Sequence, residues 1–296
     1  MFDLTSAAPE ASELFAYATT LLGHDPRSWV RSAGLDELHR DRTAQLLCVL
    51  QTLSAAAVLA QAMPVRRCVA GYSVGEVAAW SVAGLIAPAE TLDLVAERAE
   101  AMDAARRGEQ GMLFVRGLER EVIVQLCVHR DAAVAIVNPG DGWVIGGQKS
   151  ALDAIAVEAL QRGAKRVVPV PVSVASHTYL LADASATFRE CLANTSIALT
   201  PQTGARLLSG VDGAAVLDVA LGIDKLARQI SHTVQWASCL ASCVEAGARA
   251  FIEFGPGHAL AEMAAGAYPG IPARSLDDFR SLQGMRAWLD RAIAHA

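Results

Sequence analysis

Residues 67–80 read Arg67-Cys-Val-Ala-Gly-Tyr72-Ser73-Val-Gly-Glu-Val-Ala-Ala-Trp80. The first six form a short apolar run of the kind a buried strand shows, and a helical pattern begins directly at Ser73. Within it, Gly71-Tyr72-Ser73-Val74-Gly75 fits G-x-S-x-G, and a strand before it with a helix after it is the context that gives this match meaning. A serine on so sharp a turn has a strained backbone with other chain segments close by, so glycine is expected on both sides. The new helix points its first N–H groups and its positive dipole end at the place where an oxyanion would form, and the N–H of Val74 is the first such donor. Taken alone, the five residues serve equally well as a structural Gly-Ser-Gly turn.

Upstream, residues 9–22 and 42–63 have apolar residues at helical spacing, the second run ending at Met63-Pro64. Downstream, residues 88–106 predict an amphipathic helix opened by Pro88. The rhythm then changes. Strand-like segments at 112–116, 133–137, 143–147 and 166–172 alternate with helix-like segments at 119–129 and 150–162, in the order βαββαβ of a ferredoxin-like unit. Beyond Ser173 come longer helices, at 178–193, 215–230 and 235–246, and one more strand, Ala250 to Phe254, closed by Gly255-Pro-Gly257. The prediction is an α/β fold: a large α/β-hydrolase-like subdomain with a parallel sheet, from 1–110 and 174–296, with a ferredoxin-like small subdomain inserted at 111–173. No internal repeat or low-complexity linker interrupts it.

The 296 residues are 53% hydrophobic and only 5% aromatic, with mean hydropathy +0.31, which suits an aliphatic globular core. A net charge of -6 and pI near 5.7 oppose a nucleic-acid partner, since Arg66-Arg67 and Arg106-Arg107 are pairs and not runs. The six cysteines form no CxxC and read as buried thiols of a reducing compartment. Cys239 and Cys243 lie one turn apart without a second ligand pair, so no metal is expected. No stretch reaches the roughly 18 uncharged apolar residues of a membrane span, and the N-terminus has no secretory pattern. A cytoplasmic protein is expected.

A serine nucleophile needs a base, and seven histidines are available. His24, His39 and His295 sit in polar or terminal contexts, His129 ends a helix, and His258 starts one. His177 follows a strand and precedes a helix, where the strand ends of an open α/β sheet meet the ligand crevice. No Asp or Glu stands out as a third triad member; a carbonyl that accepts from the other ring nitrogen would fix the tautomer equally well. Glu76 reads as a structural residue of the new helix, and Arg98 as one more arginine on a helix surface.

Together, Gly71-Tyr-Ser-Val-Gly-Glu76, Arg98, Val172-Ser-Val-Ala-Ser-His177, Arg228-Gln-Ile-Ser-His-Thr-Val234-Gln-Trp, Asn138-Pro-Gly140 with Val144-Ile-Gly-Gly147, and Phe254-Gly-Pro-Gly257 resemble the malonyl-CoA:acyl carrier protein transacylases over essentially the whole chain. The resemblance implies that Ser73 forms a malonyl ester, that His177 is the base, and that the Gln229 carbonyl orients it. It further implies that Arg98 binds the malonyl carboxylate, with Asn138 and Met102 also on the substrate. The substrates implied are malonyl-CoA and an acyl carrier protein, with no cofactor, no nucleic acid and no membrane.

The chain departs from the pattern in two places. The family opens with a strand and a Gly-Gln-Gly turn supplying a second oxyanion donor, which this sequence lacks; a start codon lying further upstream is the expectation. Tyr72 stands where histidine is common, and His232-Thr233 where Asn-Pro is usual. The Gly-Tyr-Ser-Val-Gly-Glu wording is more similar to the acyltransferase subunit of bacterial malonate decarboxylase, whose acceptor is a small carrier subunit. The other readings are malonyl loading of the fatty-acid synthesis carrier, a serine hydrolase or thioesterase, and an inactive carrier-binding scaffold.

Overall fold

The computed structural model describes residues 1–294, so His295 lies outside the described residues. Four helices build the main core. Asp41–Leu59 packs against Pro88–Ala105, which in turn packs against Ala182–Ala193, while Ser12–Leu22 leans on the first two. Phe15, Leu46, Leu50, Leu92, Val95 and Phe188 are buried between them. Among the described residues Asp41–Leu59 is a helix long and apolar enough to cross a membrane, against the expectation of none. Its apolar face is nonetheless spent on the protein interior, where Val49, Leu50, Leu53 and Leu59 are buried.

Among the described residues eight strands form: β1 (Arg67–Val69), β2 (Gln110–Arg116), β3 (Ala132–Asn138), β4 (Gly142–Gln148), β5 (Arg166–Val170), β6 (Ala205–Leu207), β7 (Phe251–Glu253) and β8 (Ala273–Ser275). The middle four make one antiparallel sheet in the order β3-β4-β2-β5. One face carries the helices Arg120–Cys127 and Lys149–Gln161, with Val115, Ile123, Ile145 and Ile155 buried between. The opposite face, through Met112, Ile136 and Val144, packs on Val234, Trp236 and Leu240. Val234 joins the sheet edge directly: its N–H donates to the Ala135 carbonyl, and its carbonyl accepts from Val137 N–H, both at 2.9 Å.

The remaining strands do not form the single parallel sheet predicted for the large unit. β1 pairs in parallel with β6, and β7 in parallel with β8, as two separate ribbons. Among the described residues β1 and β7 each have one strand neighbour, so no strand joins the two ribbons. β6 and β8 were not foreseen, because three residues are too few to display a period of two. The helix expected at 215–230 is shorter, Val219–Arg228, because Ala215 bridges back to Leu208 and Asp218 caps the helix start.

Candidate active site

Beyond β1 the chain turns so tightly that a Cβ on Gly71 would stand 2.1 Å from the backbone nitrogen of Glu76. Glycine is therefore obligatory there. Gly75 is different, because a Cβ at that position meets nothing within 4 Å, so the second glycine of the motif is not sterically required. Ser73 sits at the apex in the left-handed region, φ 52°, a conformation that costs a non-glycine residue of order 1–3 kcal/mol. The helix Gly75–Val82 starts at once: the N–H groups of Gly75, Glu76 and Val77 donate to the carbonyls of Tyr72, Ser73 and Val74. Val74 thus occupies the head of the helix beside the nucleophile.

His177 is also left-handed, φ 62°, and is anchored by its own N–H donating to the Ile230 carbonyl at 2.7 Å. Its Nδ1 lies 2.6 Å from the Gln229 carbonyl, which can only accept, so Nδ1 carries the proton. Nε2 is then a free lone pair, and it accepts from the Ser73 hydroxyl at 2.8 Å. Burial, reinforced by the charge of Arg98 and opposed by the Gln229 bond, pushes the imidazole down to about 3. The ring is the neutral base at ordinary pH. The structure brings Ser73, His177 and Gln229 together, with a carbonyl where a triad has a carboxylate.

Arg98 is 1% exposed, so it is no surface arginine. One terminal nitrogen, Nη1, donates to Gln45 Oε1, and the other, Nη2, to Gln229 Oε1 at 3.4 Å. Gln45 Nε2 donates in turn to Asp41 Oδ2 at 2.7 Å, and Gln229 Nε2 to Glu76 Oε2 at 2.6 Å and to the Ser73 carbonyl at 3.0 Å. Burial lowers Arg98 to about 10, against the two acids, and raises Asp41 to about 6 and Glu76 to about 7. Met102, one turn beyond Arg98, is buried with its Sδ 3.6 Å from Gln45 Nε2. Asn138 is buried at the end of β3 with its amide facing the Tyr72 hydroxyl, and Trp236 Nε1 lacks a hydrogen-bond partner. Tyr72 stacks edge-on against Trp236.

Sequence reasoning missed Asp41 and Gln45 and undervalued Glu76. Glu76 is completely buried, and its Oε2 also accepts from Gly210 N–H at 3.0 Å. Among the described residues no cluster of three His, Cys, Asp or Glu side chains could hold a metal.

A nucleophile–base pair on a strand-to-helix turn with a buried cation alongside is the equipment of an acyl-transferring enzyme, and residues 27–269 match the acyl transferase domain family. The chain belongs to that family. Similar curated proteins are the malonyl CoA-acyl carrier protein transacylases of Mycobacterium bovis, 31% identical over 84% of this chain and 86% of the relative, and of Haemophilus influenzae, 28% identical over 97% and 93%. Among solved structures, the acyl-carrier-protein S-malonyltransferase of Burkholderia pseudomallei is 29% identical, with a TM-score of 0.86 over 98% of this chain and 93% of that one. A malonyl-transacylase solved in complex with a type II polyketide acyl-carrier protein is 25% identical, with a TM-score of 0.87 over 99% and 94%.

Proposed function

We propose that this protein is a malonyl-CoA:acyl carrier protein S-malonyltransferase. The observation that carries the reading is the Ser73–His177–Gln229 chain of hydrogen bonds lying against a buried arginine. Ser73 Oγ attacks the thioester carbonyl of malonyl-CoA as its proton passes to His177 Nε2. The carbon–sulfur bond breaks, the CoA sulfur takes that proton, and malonyl-Ser73 remains. The pantetheine thiol of the carrier then gives its proton to His177 and attacks the ester, and Ser73 leaves with the proton restored. Val74 N–H supports the oxyanion in both steps. Arg98 pairs with the malonyl carboxylate through charge-assisted hydrogen bonds. Asn138 and Met102 line the acyl and pantetheine path. The scheme calls for no cofactor beyond the acyl-CoA substrate.

In this reading residues 1–110 and 174–296 form the acyltransferase subdomain and 111–173 the ferredoxin-like insert, whose β3-β4-β2-β5 order supports the name. The reaction is placed in the cytoplasm, in keeping with six free thiols. Tyr72 favours the carrier subunit of malonate decarboxylase as acceptor over the fatty-acid carrier; side-by-side transfer to both carriers decides between them. The primary test is intact-protein mass spectrometry after mixing with malonyl-CoA. Wild type is expected to gain one malonyl group and Ser73→Ala none. A labelled Ser73→Ala, or free malonate as the main product from wild type with a carrier present, would defeat the proposal.

A further inference from the structure

The two terminal nitrogens of Arg98 are held in the same way. Nη1 meets the oxygen of Gln45, whose NH2 is anchored on the carboxyl of Asp41; Nη2 meets the oxygen of Gln229, whose NH2 is anchored on the carboxyl of Glu76. Neither acid is hydrogen-bonded to the guanidinium itself. A glutamine amide satisfies an N–H without cancelling its charge, but it can turn over and present donors instead of an acceptor. A carboxyl on its NH2 side forbids that turn. Were the acids in direct contact, Arg98 would be a closed buried ion pair with little left for a ligand.

We propose that Asp41 and Glu76 are positioning residues that act through Gln45 and Gln229 as spacers, keeping the Arg98 guanidinium fixed but electrically uncancelled, and that they thereby set the preference for acyl groups bearing a free carboxylate. The inference rests on the acyl-transfer reading above. Asp41 has the more exclusive role, because the other neighbour of Gln45 Nε2 is only the Met102 sulfur, a weak acceptor. Glu76 shares its task with the Ser73 carbonyl. Glu76 also ties the arrangement to the loop opposite, where a Cβ on Gly210 would come within 2.6 Å of Oε2.

The experiment measures the rate of Ser73 acylation by malonyl-CoA and by acetyl-CoA in the full chain, taking the ratio of the two, with thermal melting to confirm folding. In Asp41→Leu and Glu76→Leu the ratio is expected to fall roughly tenfold or more, mainly through a higher KM for malonyl-CoA. Asp41→Asn and Glu76→Gln, which can still accept from the spacer amide, are expected to keep it within about threefold. Gln45→Glu carries the test where a leucine variant does not fold. It keeps an acceptor for Arg98 but cancels the charge, so the malonyl preference should collapse while acetyl transfer persists. A Gln45→Glu enzyme, or folded leucine variants, with the wild-type ratio would overturn this inference alone. A wild type that malonyl-CoA does not acylate would overturn the transfer reading and this one with it.

Discussion

Replacing Glu76 by glutamine isolates the cost of burying its charge. The carboxyl has no solvent exposure; burial raises it to about 7 from an ordinary 4.5, in spite of the bonds from Gln229, Gly210 and Ser209. In the folded protein the group therefore holds its proton to higher pH than in the unfolded chain. Below about pH 4.5 both states are protonated and the group is neutral in the balance. Between 4.5 and 7 the unfolded state ionises first, so stability falls as pH rises, and above 7 the loss is complete. At about 1.4 kcal/mol per pH unit the full loss is roughly 3 kcal/mol. Glutamine cannot ionise, so the stability of Glu76→Gln relative to wild type should climb by that amount from pH 4.5 to 8. Denaturant unfolding of both proteins at half-unit pH steps reads the difference directly. A difference that stays flat across this window would show that the carboxyl is not buried as described.

His177→Ala should slow Ser73 acylation by about 10²- to 10⁴-fold, the range for a general base, as followed by single-turnover mass spectrometry. In the Asp41→Asn/Glu76→Gln double variant, where neither buried acid titrates, acylation should be level from pH 8 down to 5, because an imidazole pushed down to about 3 is already the free base; a limb near 6.5 would contradict that. Gly71→Ala should fail to fold or melt far lower, since its Cβ would stand 2.1 Å from backbone. Gly75→Ala, with open space, should be neutral or up to about 1 kcal/mol more stable, and paired thermal melts separate the two.

The elbow was legible because it is local: an apolar run, a glycine and a helix start follow one another within residues 67–80. His177 was visible only as a histidine in a suitable turn, and Gln229 only through the resemblance, since a backbone carbonyl leaves no trace in residue identity. Asp41 and Gln45 were invisible for another reason. At the start of a helix, an acid and a glutamine look like ordinary first-turn residues, and only packing against Arg98 reveals them as part of the site. The same locality limit hid the ribbon pairings. β1 and β6 are separated by more than a hundred residues and have three residues each, too few for their own pattern to announce the pairing.

The left-handed backbones of Ser73 and His177 place the site in opposition to selection for robustness. At each position a glycine would relax the turn and remove a reacting atom in a single step. A library of this protein screened for heat tolerance alone should therefore tolerate or enrich glycine at Ser73, whereas loss of the buried, doubly hydrogen-bonded His177 ring carries its own cost. Thermostabilising such a scaffold calls for a screen that reads turnover alongside melting, or one that leaves residues 71–77 and 172–178 fixed from the outset.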